Sequence, residues 1–182
     1  MFLARRLLIV AGATAIVAFL GLIGWDFFQL NRHIPAQLTP ATRATSVVVD
    51  KKNRRMTLLK DGEVMKTYAI SLGGDPVGPK HQEGDGRTPE GAYKIDFKNE
   101  RSRFHLALRI SYPGPADRDQ AHQRGISPGS DIMIHGLPNG LGWLRSLHLR
   151  RDWTDGCVAV TNTEIEEIWA MIDVGTPVDI RP

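Results

Sequence analysis

The sequence predicts a mostly-β domain with one amphipathic helix near its C-terminus, preceded by an N-terminal transmembrane helix. Three observations point there. Short β-rich runs separated by turn dipeptides and Gly- or Pro-rich loops fill the stretch from Thr45 to His135. Ile165, Ile168, Trp169 and Ile172 recur at helical spacing. Leu7 to Trp25 forms an uncharged run of 19 residues, about the length that crosses a bilayer core as a helix.

Arg5 and Arg6 precede that apolar run, so the positive-inside rule places the N-terminus in the cytoplasm and the rest of the chain outside it. Ala11, Gly12, Ala13 and Ala15 lie within the run, and no small-x-small site follows Trp25. An uncleaved anchor is therefore favoured over a cleaved signal peptide. Residues 1–30 form the anchor or signal segment. Residues 31–44, with Pro35 and Pro40 and no apolar period, form a linker. Residues 45–182 suffice for one domain with its own core. A net charge of +3 with scattered basic residues and no dense Lys/Arg stripe gives no indication of nucleic acid as a partner. The membrane is a partner through the N-terminal helix.

Within the domain, SVVVD (46–50) and RMTLL (55–59) precede Asp61-Gly62, which joins them to EVMKTYAISLG (63–73). Asp-Gly between β-rich runs is a hairpin signal, with Tyr68, Ile70 and Leu72 on one face. Residues 73–91 are so rich in Gly and Pro that they predict an irregular loop, long enough to suggest a functional role. Further strands are expected at AYKIDF (92–97), ALRISY (107–112) and DIMIH (131–135), with a short polar helix around Ala116 to Gln123. For the last helix, Thr163 with Glu166 forms a capping box and Gly175 ends it, before the strand PVDIR (177–181).

Cys157 is the one cysteine of the chain, so outside the cytoplasm it has no intramolecular disulfide partner. A buried small hydrophobe is the plain alternative. The neighbours Thr154, Asp155 and Gly156 do not form a core-strand pattern, and Gly156 leaves room for a carbonyl to approach the sulfur. A nucleophilic thiol is the favoured role. Such a thiol, with a free pKa near 8.5, needs an imidazole to take its proton. His135 closes the strand DIMIH on the face opposite Ile132 and Ile134, beside Gly136. His148 is the rival base. Leu144, Leu147 and Leu149 around it suggest a packed segment. Backbone N–H groups around Gly156 and Cys157 can serve an oxyanion. His81, His105, His122, His135 and His148 include no i, i+4 pair, so no metal is expected. Trp143, Trp153 and Trp169 are expected in the core or a pocket wall.

The sequence IHG, a loop, then Thr-x-Gly-Cys before a capped helix and a terminal strand resembles the L,D-transpeptidase catalytic domain of the YkuD type. GDGRTPEGAY (84–93) resembles that family's TPxG segment, and ISYPGPAD (110–117) precedes the histidine as it does there. The resemblance spans roughly Thr45 to Arg181 and implies a β-sandwich-like catalytic fold. It implies Cys157 as nucleophile and His135 as general base and acid. The carbonyl of Gly136 would be the third member, with Gly156 and Cys157 N–H groups as the oxyanion hole. Tyr112, Thr154, Asp155 and Arg151 are substrate-binding candidates, Thr154 at the family's Ser/Thr position. The chain departs from the family with Asp155 where a second histidine is usual, Ala159 where Asn or Arg is usual, and a longer loop between His135 and Cys157. The implied activity is a cysteine acyltransferase acting on peptidoglycan stem peptides, without cofactor, in the periplasm. Alternatives are a hydrolytic relative (a carboxypeptidase or amidase) and a non-catalytic wall-binding scaffold.

Overall fold

The computed structural model describes residues 43–182, so the apolar run at residues 7–25 and nearly all of the linker lie outside the described residues. Among the described residues no helix is long and apolar enough to cross a membrane.

Eight strands form the domain. They are β1 (Ser46–Asp50), β2 (Arg55–Lys60), β3 (Glu63–Ala69), β4 (Gly91–Ser102), β5 (His105–Ile110), β6 (Met133–His135), β7 (Val158–Ala159) and β8 (Pro177–Arg181). The order across the sheet is β3-β2-β1-β8-β4-β5-β6-β7. Hydrogen bonding is thus continuous, in place of two separately bonded layers. The 12-residue β4 makes this possible. Its first residues pair with β8 and its later ones with β5, with register shifts at Ile95/Phe97 and Asn99/Ser102. Such bulges bend and twist a strand, letting it serve two halves of a curved sheet. Ser71 bridges Ala159 and Gly73 bridges Thr154, so the chain leaving β3 is tied to β7 at the far edge.

The hairpin expected at Asp61-Gly62 joins β2 to β3, both turn residues having positive φ (53° and 90°) as a type I′ turn requires. Tyr68, Ile70 and Leu72 are all buried. Residues between β3 and β4 form the irregular loop read from the sequence. A polar helix, α1, covers Pro115–Gln123.

The second helix, α2, covers Asn162–Met171 and buries Ile165, Ile168, Trp169 and Met171 against β5 and β6. Its capping box is Thr161 with Glu164, not Thr163 with Glu166: the Glu164 amide donates to Thr161 Oγ1, and Glu164 Oε2 accepts from the Thr161 amide. Gly175 lies in the turn before β8, three residues past the cap at Ile172. The segment Gly142–Arg150 also departs from expectation. It is a kinked 3-10 helix with no buried residue, so Leu147 and Trp143 (69% exposed) stand outside the core. Trp169 is in the core, and Trp153 lines the candidate site.

Candidate active site

β6 and β7 are neighbouring parallel strands with Ile134 opposite Val158 and His135 opposite Ala159. Ile134 and Val158 bury into the core. Alternation turns His135 to the other face. Cys157 immediately precedes β7, and the amide of Met133, two residues before His135, donates to Cys157 Sγ at 3.4 Å. The sulfur also lies 3.7 Å from the carbonyl oxygen of Asp131. Strand pairing thus brings thiol and imidazole to adjacent strands within two residues of register.

His135 is held on all sides. Its carbonyl accepts from Val160 N–H at 2.9 Å. Its ring packs against Phe104 (centroids 4.5 Å apart) and Trp153 (5.9 Å), which also contact each other at 6.4 Å. His135 Nδ1 lies 2.6 Å from the Gly136 carbonyl oxygen. A carbonyl can only accept, so Nδ1 carries the hydrogen and Nε2 keeps its lone pair. Gly136 allows this close packing, since a Cβ there would lie 2.7 Å from Asn162 Oδ1 and 3.2 Å from the Phe104 carbonyl oxygen.

The Asp152 to Cys157 turn is anchored from outside. Asp152 receives two hydrogen bonds from Arg54 Nε (3.2 and 2.9 Å), one from Arg54 Nη2 (2.7 Å) and one from the Leu72 amide (2.9 Å). Thr154 Oγ1 donates to the Cys157 carbonyl at 2.7 Å and accepts from the Gly156 amide at 3.2 Å. Gly156 has φ 124°, and a Cβ there would meet the Arg87 carbonyl oxygen at 2.4 Å.

The loop carrying Arg87 is pinned in turn. Lys51 is buried and donates to the carbonyls of Gly78 and Thr88 and to Glu90. Lys80, also buried, pairs with Asp85 at 2.8 Å, and Asp85 accepts from the amides of His81, Gln82 and Arg87. Those bonds hold the Asp85 carboxyl down near 2 against the opposing effect of its burial.

Burial sets the ionisation of the pair. His135 has its pKa lowered from 6.5 to about 4, chiefly by desolvation, with the Gly136 bond opposing and the nearby His148 adding to the drop. Desolvation likewise pushes the Cys157 thiol up. At neutral pH the pair rests as thiol and neutral imidazole rather than as thiolate and imidazolium.

The other sequence candidates are placed as follows. His148 Nδ1 accepts from Trp153 Nε1 at 3.3 Å, so the Trp153 ring contacts both histidines, with centroids 6.0 Å from His148 and 5.9 Å from His135. Tyr112 is buried, donates to the Pro128 carbonyl at 2.8 Å and lines a cavity with Asp131. Asp155 is exposed and its charge acts on the thiol. Arg151 is exposed at the end of the 3-10 segment. Sequence reasoning missed Lys51, Asp152 and Phe104, which hold the site, and Arg109, which lines the same cavity as Tyr112.

Comparison with known proteins gives matches along the described domain. Residues 44–180 match the YkuD family, described as the L,D-transpeptidase catalytic domain. YafK of Escherichia coli K12, named as a candidate L,D-transpeptidase, is 28% identical over 132 residues, covering 69% of this chain and 46% of YafK. YqjB of Bacillus subtilis, named likewise, is 24% identical over 153 residues, covering 84% of this chain and 80% of YqjB. The crystal structure of the helical cell shape determining protein Pgp2 from Campylobacter jejuni superposes with a TM-score of 0.58 and 25% identity, covering 76% of this chain and 47% of Pgp2. The chain therefore spans about half the length of YafK and Pgp2.

Proposed function

The chain belongs to the YkuD family of L,D-transpeptidase catalytic domains, and from that premise we propose that it is a peptidoglycan L,D-transpeptidase working through an acyl-enzyme on Cys157. The observation that supports the proposal is the pairing of β6 with β7, which puts Cys157 and His135 on neighbouring strands within two residues of register, with His135 Nδ1 tied to the Gly136 carbonyl.

The donor is a tetrapeptide stem whose third residue is diaminopimelate. The Cys157 thiol proton passes to His135 Nε2 as Sγ bonds to the diaminopimelate carbonyl carbon, and the carbonyl electron pair moves onto oxygen. Cys157 N–H is the oxyanion donor, while Gly156 N–H, bonded to Thr154, shapes the turn. The tetrahedral intermediate collapses, the C–N bond breaks, and D-alanine leaves with the proton from the imidazolium. A thioester remains. The amine of a second diaminopimelate attacks it, gives its proton to His135 and displaces the sulfur, which is reprotonated. The product is a 3-3 cross-link.

Tyr112, Asp155 and Arg151 border the donor groove in this proposal, and Thr154 acts by holding the turn. The apolar run at residues 7–25 anchors the chain in the inner membrane with the domain in the periplasm. The likeness to a cell shape determining protein supports a role in the envelope.

Product analysis tests the proposal. Incubation of the chain with tetrapeptide muropeptides is expected to release D-alanine and give dimers joined through two diaminopimelate residues. Tripeptide monomers alone identify a hydrolase. No turnover by the folded chain, with wall binding retained, identifies a scaffold.

A further inference from the structure

The 3-10 segment Gly142–Arg150 and the turn between β4 and β5 form one face. The Asn139 amide donates to the Arg103 carbonyl at 2.9 Å, Asn139 Nδ2 donates to the Ser102 carbonyl at 3.1 Å, and the His105 amide donates to Asn139 Oδ1 at 3.0 Å. Those bonds hold the chain just before Leu141 against that turn. Leu141, Trp143 and Leu147 then stand 40%, 69% and 50% exposed. A tryptophan and two leucines open to water in one short run mark an interaction site.

The apolar residues are rimmed by positive charge. Arg101, Arg103, Arg145, Arg150 and Arg151 are exposed, and none makes an ion pair among the described residues. In residues 99–105 and 139–156 the exposed carboxylates are Glu100 and Asp155 alone, since Asp152 is half-buried and paired with Arg54. Shape narrows the partner further. The segment has no buried residue and is kinked at Arg145, so it stands out as a ridge. A peptide partner is held in a groove or along a free strand edge. A layer of lipid headgroups adapts to a ridge, takes Trp and Leu where headgroups meet acyl chains, and offers phosphates that a guanidinium binds through two hydrogen bonds.

The chain's own tether reaches far enough. The Ala44 amide donates to the Met171 carbonyl at the C-terminal end of α2, so the described chain enters there. A Cβ on Gly142 would lie 2.7 Å from Asn162 Nδ2, at the other end of α2. Entry point and face are therefore about one α2 length apart, roughly 15 Å. Residues 26–42 separate the apolar run from Arg43 and span up to about 55 Å when extended.

We propose that this face docks on the surface of a bilayer containing anionic lipid, with Leu141, Trp143 and Leu147 in the headgroup layer and the arginines on the phosphates. The inference goes beyond the proposed function and uses its membrane anchor, and the test reads the two separately.

The full chain with Cys157→Ala and Ser146→Cys carries one environment-sensitive fluorophore on the face, and Cys157→Ala with Thr67→Cys carries it on β3 as the control. Both positions are exposed. Each protein is reconstituted into vesicles of phosphatidylcholine with an equal part of phosphatidylglycerol, or of phosphatidylcholine alone, with a quencher on the acyl chains. The label at position 146 is expected to shift to the blue and be quenched in the anionic vesicles, and to lose most of both effects at about 1 M salt, where the Debye length is about 3 Å. The ratio of docked to free domain is expected to fall about fivefold for each of Arg101→Gln, Arg103→Gln, Arg145→Gln and Arg150→Gln, and at least about tenfold for Trp143→Ser. All five positions are exposed, so these variants keep the fold, which circular dichroism checks. No quenching at position 146, equal quenching in the two lipid mixtures, equal quenching at position 67, or arginine variants that dock like the parent overturns the proposal. A blue shift produced by peptidoglycan sacculi and not by vesicles gives the face to the wall, and one that grows with protein concentration in detergent without lipid gives it to a second copy; either overturns the proposal. Alkaline extraction reads the anchor independently: a chain that is extracted yet quenched in anionic vesicles loses the anchor and keeps the face. Acylation of wild-type Cys157 is likewise independent, so its failure removes the transpeptidase reading and leaves the docking result standing.

Discussion

His135→Asn is expected to lower the rate of Cys157 acylation by about 10³-fold, within the range a positioned general base supplies. Burial raises the thiol pKa, so at neutral pH the reactive thiolate forms only as its proton is taken. The histidine is neutral and able to take it down to about pH 4. Wild-type acylation is accordingly expected to hold its rate from pH 7 to about 5 and to fall as pH drops through 4. The variant should lack that limb. Stopped-flow or quenched mass analysis of the acyl-enzyme across this range checks both features. A variant within about threefold of wild type would remove His135 as the base.

The same ionisation has a stability consequence of definite sign. In the unfolded chain His135 binds a proton below its ordinary value of 6.5, whereas in the folded chain it resists until about 4. Between those values the unfolded state holds more protons, so stability falls as pH is lowered from 6.5 and levels off below 4. The loss is on the order of 3 kcal/mol. Urea unfolding of wild type and His135→Asn at pH 7 and pH 4.5 is expected to show a smaller pH-dependent loss in the variant.

Gly156→Ala is expected to lower acylation by at least about 100-fold, the cost of displacing a reacting group by about 1 Å. The new Cβ would lie 2.4 Å from the Arg87 carbonyl oxygen and 3.1 Å from Ile132 Cδ1, at a φ of 124° that side chains rarely adopt. The Arg87 loop cannot easily retreat, because Lys51, Asp85 and Thr88 pin it on three sides. The Cys157 turn is equally fixed by Thr154 and Asp152. Backbone strain adds about 1–3 kcal/mol of destabilisation. Gly74→Ala is the matched control: a Cβ there meets nothing within 4 Å, so activity and melting temperature should stay near wild type.

Much of this was legible in the sequence where one physical signal dominated. Asp61-Gly62 named its own turn because both positions take positive φ. Cys157 and His135 stood out because each combined reactive chemistry with a backbone position, a glycine-led turn and a strand end. Where two signals were degenerate, the sequence could not choose between them. Thr161-x-x-Glu164 and Thr163-x-x-Glu166 both satisfy the capping pattern, and the extended backbone of Thr161 (φ −69°, ψ 161°) decides. Leu144, Leu147 and Leu149 suggested a packed segment, yet the 3-10 segment lies over the surface with none of its residues buried. β7 is two residues long, too short for any period, although it sets the distance between the strands of the site. Lys51 and Arg109 act through partners far along the chain, and such contacts leave no local trace.

The central claim is that the Cys157 sulfur becomes acylated by the stem peptide. Intact-mass analysis with peptide mapping, on the chain quenched after mixing with a diaminopimelate tetrapeptide, tests it most directly. The prediction is a thioester-linked tripeptide stem on Cys157, formed together with one released D-alanine per adduct and absent from Cys157→Ala. D-alanine release by a folded Cys157→Ala chain, or an adduct on any other residue, would contradict it.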